Sequence, residues 1–231
     1  MEATCNIETY LPKHFSESPF KFRFDTSTVE TFFQVAQNFH MGRKRIRDIR
    51  NEELIEATIV AVHKRGYSVV TMAEIAQEAG ASAASINYYF GSKEGLMEAT
   101  MRHLLRKLRR AMIDGYSAAQ SPKERLYAVM DANFSDTLFT VPQCSLWMQF
   151  WANAPYSPRL ARLHRINRTR VRSHVRAELA TLLPADRIET ARSALQCYMD
   201  GVWLEAAQSD CNVDAQAARL AAHQVVDLTL S

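Results

Sequence analysis

Apolar residues recur at helical spacing along most of this chain, most clearly in the stretch 71–90, TMAEIAQEAGASAASINYYF. This stretch predicts two short helices, 72–79 and 83–90, joined by a tight turn. Gly80 lies in the turn because glycine tolerates the positive φ that such a turn requires. Small and apolar residues in this order are typical of a helix-turn-helix, which places its second helix in the DNA major groove. An ordinary helical hairpin is the alternative.

Helix-starting signals organise the rest of the chain. A Ser, Thr or Asp before an apolar stretch caps a helix, and a proline at the first helical position strengthens the signal. The capping candidates are Thr71 with Glu74, Ser82, Ser92, Ser121, Ser157, Asp186 with Glu189, and Asp214. Besides a first helix near 44–65 and the two short ones, they predict helices near 92–116, 122–139, 142–153, 158–183, 186–208 and 215–229. The sequence therefore predicts an all-α fold of about nine helices.

Composition agrees with a globular helical protein. The chain has 231 residues, 47% of them hydrophobic and 23% charged, with only seven glycines and seven prolines. Its net charge of +3 is small, so any nucleic-acid binding must come from local clusters of basic residues. One such cluster directly precedes the predicted helix-turn-helix and suits phosphate contacts, although a basic run is often only a solvated helix face. Its members are Arg43, Lys44, Arg45, Arg47 and Arg50.

Several function classes are disfavoured by what the sequence lacks. The four cysteines form no C-x-x-C pair, which argues against a zinc site and a disulfide framework and favours a reducing cytoplasm. No apolar run is long enough to span a bilayer, and no signal peptide is recognisable. Common catalytic and nucleotide-binding motifs are absent as well. We therefore expect a cytoplasmic protein that is not an enzyme, with no cofactor and no metal.

The first forty residues differ from the rest of the chain. Seven of the eleven phenylalanines fall there, yet no long amphipathic helix emerges. We expect residues 1–42 to be either a poorly ordered extension or the product of a mis-assigned start, with Met41 as the biological start. Packing of these phenylalanines on the body is the alternative. A DNA-binding domain would then cover 43–93, and a ligand-binding and dimerisation domain would cover 94–231.

The second helix of the predicted helix-turn-helix limits what can be read on DNA. It carries no Lys or Arg, so it cannot recognise guanine through a bidentate arginine. Ala83 and Ala84 would allow close approach, while Ser85, Asn87 and Tyr88 offer hydrogen bonds to base edges. We expect Asn87 to contact adenine, because an asparagine side chain can pair with adenine through two hydrogen bonds.

Aromatic residues concentrate in the second half of the chain, which holds all three tryptophans. Trp147, Phe150 and Trp151 share one helix face, and Tyr198 and Trp203 lie on a later helix. Aromatic faces of this kind hold quaternary ammonium ions, and a carboxylate could complete such a site. An aromatic face at helical spacing is also typical of an ordinary core, and that alternative stays open. The candidate carboxylates are Asp136 and Asp200.

Two further patterns concern the later helices. The helix 158–183 is rich in arginine, and we interpret this as a solvated face rather than a second nucleic-acid surface. Apolar stripes run along 187–208 and 215–229. They predict either an intramolecular core or a dimer interface, and two-fold symmetry would suit a palindromic DNA site.

Several stretches of this chain resemble the TetR family, most closely its BetI type. They are the stretch 71–90 quoted above, LIEATIVAVHKRGY, SKEGLMEATMRHL, LWMQFWANAPYSPRLARLHRINRTRVRSHV and DGVWLEAA. The resemblance covers roughly residues 43–230. It implies a homodimeric repressor with a helix-turn-helix head, a double-stranded DNA operator, and a choline-like inducer that controls glycine betaine synthesis.

The resemblance also assigns roles to particular residues and elements. Thr71, Tyr89 and Lys93 match family positions that contact the phosphate backbone, although a tyrosine packed inside the head and a solvent-facing lysine are the alternatives. The last two helices match the dimer interface. Ligand binding would displace the helix that begins near Ser92 and so change the distance between the recognition helices. A repressor responding to cationic drugs and controlling efflux, or a ligand-independent DNA-binding protein, are the alternative functions.

Overall fold

Residues 47–210 and 212–231, the part of the chain described by this computed structural model, fold into nine α-helices and no strand. The phenylalanine-rich start and the basic residues 43–45, among them the DNA-contact candidate Arg45, therefore lie outside the described residues. Within this part, Ile49–Ser231 form one compact unit. The helices are α1 (47–65), α2 (Met72–Glu78), α3 (Ala83–Phe90), α4 (Lys93–Ala118), α5 (Pro122–Asn133), α6 (Val141–Asn153), α7 (Pro158–Leu179), α8 (Ala185–Ala207) and α9 (Ala215–Leu230).

The first three helices form the head, and their local signals act as the sequence predicts. The Thr71 hydroxyl accepts a hydrogen bond from the Glu74 backbone N–H, and the Glu74 carboxylate accepts one from the Thr71 N–H, which completes the capping box. Ser82 caps α3 in the same way through the Ser85 N–H. Gly80 has a φ of +56°, and Ile86 is fully buried. The helix-turn-helix is therefore confirmed, with ends within one residue of those predicted.

A glycine sets how closely the head joins the body. At Gly95, in the first turn of α4, a Cβ atom would lie 2.2 Å from the backbone oxygen of Phe90, the last residue of α3. The Phe90 carbonyl is part of the helix backbone and cannot move aside as a flexible side chain could, so only glycine fits at position 95. The N-terminal end of α4 is thus held directly against the recognition helix.

Helices α4 to α9 form the body, which continues the head's core without a break. The inner face of α7 is apolar and buried, and consists of Leu160, Leu163, Val171, Val175 and Leu179. On its outer side, arginines pair with acids of neighbouring helices, so the solvated-face interpretation fits their placement. These ion pairs are Arg159 with Glu98, Arg168 with Asp200, and Arg172 and Arg176 with Glu189. None of the helices described here is both long and apolar enough to cross a membrane.

Two helices end earlier than predicted, and a third is capped differently. α5 ends at Asn133 rather than near 139, because the Ser135 carbonyl accepts from the N–H groups of Leu138 and Phe139 in a tight turn. α7 ends at Leu179 rather than near 183, and a turn follows it. The capping of α8 by Asp186 and Glu189 was also wrong. Pro184 occupies the N-cap without a side-chain bond, and the Glu189 carboxylate instead contacts arginines of α7 and α8.

Candidate DNA-contacting and ligand-binding sites

The outer face of α3 presents the side chains expected to read DNA. Asn87 and Ala84 are exposed, and Tyr88 is 78% exposed although its ring is large and apolar. Ala83 and Ser85 are half-buried, and Ser85 Oγ lies 3.0 Å from Ser82 Oγ within the cap. The face therefore offers one amide and one phenol toward solvent, together with small side chains that permit close approach.

The candidate phosphate-contacting residues differ in exposure and in the contacts that they make. Thr71 and Arg47 are exposed, at the starts of α2 and of the described α1. Tyr89 is half-buried and packs against the core, with its ring edge-on to Tyr88 at 5.3 Å between centroids. Lys93 Nζ donates to the Ser68 carbonyl at 3.2 Å and stands 5.9 Å from the Tyr67 ring centroid. Its charge therefore lies over the loop that joins α1 to α2.

Two polar contacts attach α1 of the head to the body. The first joins α1 to α4: the Glu56 carboxylate lies 2.8 Å from Lys107 Nζ and 3.5 Å from His103 Nε2. The neighbouring His103 side chain and the positive charge of Lys107 lower the pKa of Glu56 to about 2, although burial opposes this. The Glu56 carboxylate is therefore charged at neutral pH.

The second contact joins α1 to α6 through a single side chain, that of Gln149. Its Oε1 accepts a hydrogen bond from the Tyr67 N–H, and its Nε2 donates to the Val62 carbonyl at 3.4 Å. One carboxamide thus satisfies backbone groups at the C-terminal end of α1. No motif or periodicity in the sequence pointed to a role for Gln149. The available signal was a lone amide between tryptophans in the run LWMQFW.

Around the same helix, three tryptophans converge on one small cavity. The Trp147 ring lies 5.5 Å from Trp203 of α8 and 6.5 Å from Trp151, measured between centroids. The cavity that all three line has a volume of ≈ 20 Å³, room for about one water molecule. Trp151 Nε1 is buried and has no hydrogen-bond partner among the described residues. The cavity thus offers aromatic faces, and one residue that lines it carries an unused donor.

A charged pair closes one side of the cavity. Arg168 donates to the Asp200 carboxylate at 2.6 Å, and Gln196 Nε2 donates to the same group at 2.8 Å. The Arg168 guanidinium carbon stands 6.0 Å from the Trp151 ring centroid, within reach of a cation–π interaction. Burial lowers the pKa of nearby His164, and Arg168 lowers it further, so this imidazole is neutral at pH 7.

Three other residues were expected to bind ligand, and none of them lines this cavity. Phe150 is buried and packs on Trp147 and His164, behind the cavity wall. Tyr198 is half-buried and packs edge-on to Phe134. Asp136 does not line the cavity; its side chain is 78% exposed and pairs with Arg219. The early end of α5 explains this, because Asp136 lies in the following turn rather than on a helix face.

A larger cavity of ≈ 500 Å³ lies between α4 and α7. Its volume is within the range typical of small-molecule pockets. The lining is mainly apolar and includes Arg109 and Arg170. Within the described part of the chain, no acidic residue lines this cavity. Two arginines and no carboxylate disfavour a cation. Between the two cavities, the tryptophan-lined one has the chemistry for a cationic ligand.

The outer sides of α8 and α9 carry an apolar stripe that the described chain leaves uncovered. Leu204, Leu220 and Leu228 are 47%, 58% and 75% exposed. Ala217 and Ala221 are exposed beside Leu220, and a Cβ atom at Gly201 would meet open space. The predicted stripe of α8 includes Leu195, Met199 and Ala206, and these three face inward instead and are buried. The exposed residues are small or apolar and would let a second helix pair approach closely.

Comparison with known protein families assigns both parts of the described chain. Residues 54–100 match the family of bacterial regulatory proteins of the tetR type. Residues 122–231 match the C-terminal region of BetI-type transcriptional repressors. The first match contains the helix-turn-helix and the start of α4, and the second contains the tryptophan cavity and the apolar stripe.

Individual proteins give the same assignment. The chain is 39% identical over 192 residues to the HTH-type transcriptional regulator BetI of Burkholderia cenocepacia, covering 83% of this chain and 99% of the relative. The Burkholderia thailandensis BetI is 40% identical, covering 83% and 98%. A transcriptional regulator from Saccharomonospora viridis, in complex with choline, shares the fold with a TM-score of 0.65 at 18% identity, covering 77% of this chain and 95% of that one.

Proposed function

The chain belongs to the TetR family of transcriptional repressors, in its BetI group, and we propose that it releases operator DNA when it binds choline. The repressor would act as a homodimer on a palindromic operator. The genes that it regulates would be those of glycine betaine synthesis from choline. The relatives carry the names of transcriptional regulators, which are not enzymes, and catalysis has no part in this proposal.

The observation that carries the proposal is the convergence of Trp147, Trp151 and Trp203 beside the Asp200 carboxylate. A trimethylammonium group cannot donate strong hydrogen bonds, so aromatic faces and a nearby negative charge are what recognise it. The unused Trp151 Nε1–H could donate to the hydroxyl oxygen of choline. Choline in the related Saccharomonospora viridis regulator adds support for a ligand of this class.

Coupling to DNA would run through the two contacts between body and head. The cavity is too small for choline as it stands, so we expect binding to displace side chains that line it and, with them, α6. Gln149, between two cavity tryptophans, would carry that movement to the end of α1. Glu56 would transmit movement of α4 to the same helix. The recognition helices of a dimer must be ~34–36 Å apart to enter successive major grooves, so a small rotation of each head would weaken binding.

A homodimer is supported by the exposed apolar stripe on α8 and α9. A protein that remained a monomer would leave Leu220 and Leu228 in water, with Leu204 nearby on the neighbouring helix. A two-fold axis through this stripe would cover the same residues on both subunits. It would also present two recognition helices in the symmetric arrangement that a palindromic operator requires.

DNA-protection mapping tests the proposed function. The purified protein would be mixed with duplex DNA from the region upstream of its own coding sequence, with and without choline. We expect protection of one palindromic site that millimolar choline removes and sodium chloride at equal concentration does not. Protection that persists at saturating choline would reject choline as the inducer, and absence of any protected site at low salt would reject operator binding in this region.

Substitutions in the head should separate base reading from phosphate binding. Asn87→Ala removes an exposed amide and is expected to cost ~1–3 kcal/mol at one base pair while leaving binding to unrelated DNA unchanged. Lys93→Ala removes a positive charge beside the loop that joins α1 to α2. It should weaken binding to all DNA sequences and reduce the salt dependence of binding. Titrations against the operator and its single-base variants measure both. An unchanged base preference in Asn87→Ala would show that another residue reads that base.

A further inference from the structure

An arginine side chain of the protein contacts both an aromatic face and the carboxylate beside the tryptophan cavity. The Arg168 guanidinium carbon stands 6.0 Å from the Trp151 ring centroid, and its Nη1 lies 2.6 Å from the Asp200 carboxylate. These are the two interactions that a quaternary ammonium ligand would need from the cavity: an aromatic face and a negative charge. With Arg168 in place, the remaining space holds about one water molecule.

We infer that Arg168 is an internal competitor of the ligand, whose guanidinium must leave Trp151 and Asp200 before a quaternary ammonium ion can enter. The inference rests on the proposed function of the tryptophan cavity as the cation site. Arg168 sets the ligand concentration at which the repressor responds, because each ligand bound must first break an internal cation–carboxylate pair.

The surroundings allow the guanidinium to leave without leaving a buried charge behind. The Arg168 side chain is 41% exposed, so its charge can swing into water on a long flexible stem. Asp200 keeps its hydrogen bond from Gln196 after Arg168 departs. Its negative charge is then available to the incoming ammonium group. Burial lowers the pKa of His164, whose ring lies beside Trp151, and this disfavours a second positive charge that would oppose the exchange.

The size of the effect follows from the weakness of the interactions that are exchanged. Partly exposed ion pairs and cation–π contacts each contribute little to stability in water. Arg168→Gln keeps a hydrogen-bonding side chain but removes the charge, and we expect it to bind choline and tetramethylammonium roughly three- to tenfold more tightly than the wild type. Arg168→Met should do the same. Arg168→Lys keeps a positive charge at the site and should stay closer to the wild type.

Tryptophan fluorescence titration provides the test, because all three tryptophans line this cavity. Choline and tetramethylammonium would be titrated into wild-type, Arg168→Gln, Arg168→Met, Arg168→Lys and Arg165→Gln proteins. Arg165 is an exposed arginine three residues earlier on α7, so its variant controls for loss of one charge from the same helix. Thermal unfolding of each variant would confirm that it is folded.

Tighter binding in Arg168→Gln and Arg168→Met, with Arg165→Gln unchanged, would support the inference. Equal or weaker binding in both, or no binding of either ion by any variant, would overturn it. Operator release is measured separately on the same proteins. Choline could bind more tightly to Arg168→Gln and yet release operator from neither the wild type nor any variant. The proposed regulation by choline would then fail, while the role of Arg168 would stand.

Discussion

Replacing Leu220 by glutamate is expected to give a folded monomer that binds the operator at least about 100-fold more weakly than the wild-type protein. Leu220 is 58% exposed in the single chain, so a carboxylate there meets water and does not disturb the core. In a two-fold interface the substitution occurs twice and places two charges in an apolar contact. A monomer offers one recognition helix at a time and loses the effective concentration gained by joining two heads.

Sedimentation of the purified protein and operator titration measure the two parts of this prediction. Tyr156→Glu is the matched control, because it puts the same charge on an exposed apolar residue outside α8 and α9. We expect the control to sediment as a dimer and to bind operator as the wild type does. A Leu220→Glu protein that remains dimeric would place the interface elsewhere, and a monomer with undiminished operator affinity would remove the need for a dimer.

Replacing Gln149 by leucine is expected to leave the affinities for choline and for operator DNA, each measured alone, within about threefold of wild type. Most of the release of operator by choline should nevertheless be lost. Leucine keeps the bulk of the side chain but loses the hydrogen bonds to Tyr67 and Val62. Each bond contributes ~0.5–1.5 kcal/mol, so two give ~1–3 kcal/mol. That equals the usual size of a coupling energy between two sites. A small loss of head stability should accompany it, because the Tyr67 N–H loses its partner.

Operator affinity would be measured for Gln149→Leu across a choline titration, beside Gln143→Leu as the control. Gln143 also lies on α6, but its amide donates to the Thr137 carbonyl within the body. Release that is normal in Gln149→Leu would show that the signal passes through α4 and Glu56 instead. Release lost equally in both variants would indicate general damage to α6.

The head could be predicted from the sequence because its signals are local. Thr71 with Glu74, Gly80 and Ser82 each act on backbone within four residues, so spacing alone locates α2 and α3. Buried positions of α7 followed from periodicity for the same reason. The end of α5 did not, because a tight turn at Ser135 and burial of Phe134 override an apolar pattern that continues beyond it. This is why Asp136 lies away from the tryptophans.

The candidate site was predictable in its residue types but not in its connections. Trp147, Phe150 and Trp151 at helical spacing pointed to one aromatic surface, yet the convergence of its tryptophans with Trp203 depends on how α6 packs on α8. Arg168 meets a partner 32 positions away, and Gln149 meets one 82 positions away. No local pattern encodes such pairs. The arginine therefore looked like one of many on a solvated face, and the glutamine like a neutral polar residue.

Reciprocal linkage tests the central claim most directly, because a ligand that weakens operator binding must itself be bound more weakly by the operator complex. The measurement is the Kd of choline, determined with and without saturating operator DNA, beside the Kd of operator with and without saturating choline. We predict that both ratios are equal and at least tenfold, about 1.4 kcal/mol. A choline Kd that operator leaves unchanged would contradict the account, since the tryptophan cavity would then have no connection to DNA binding.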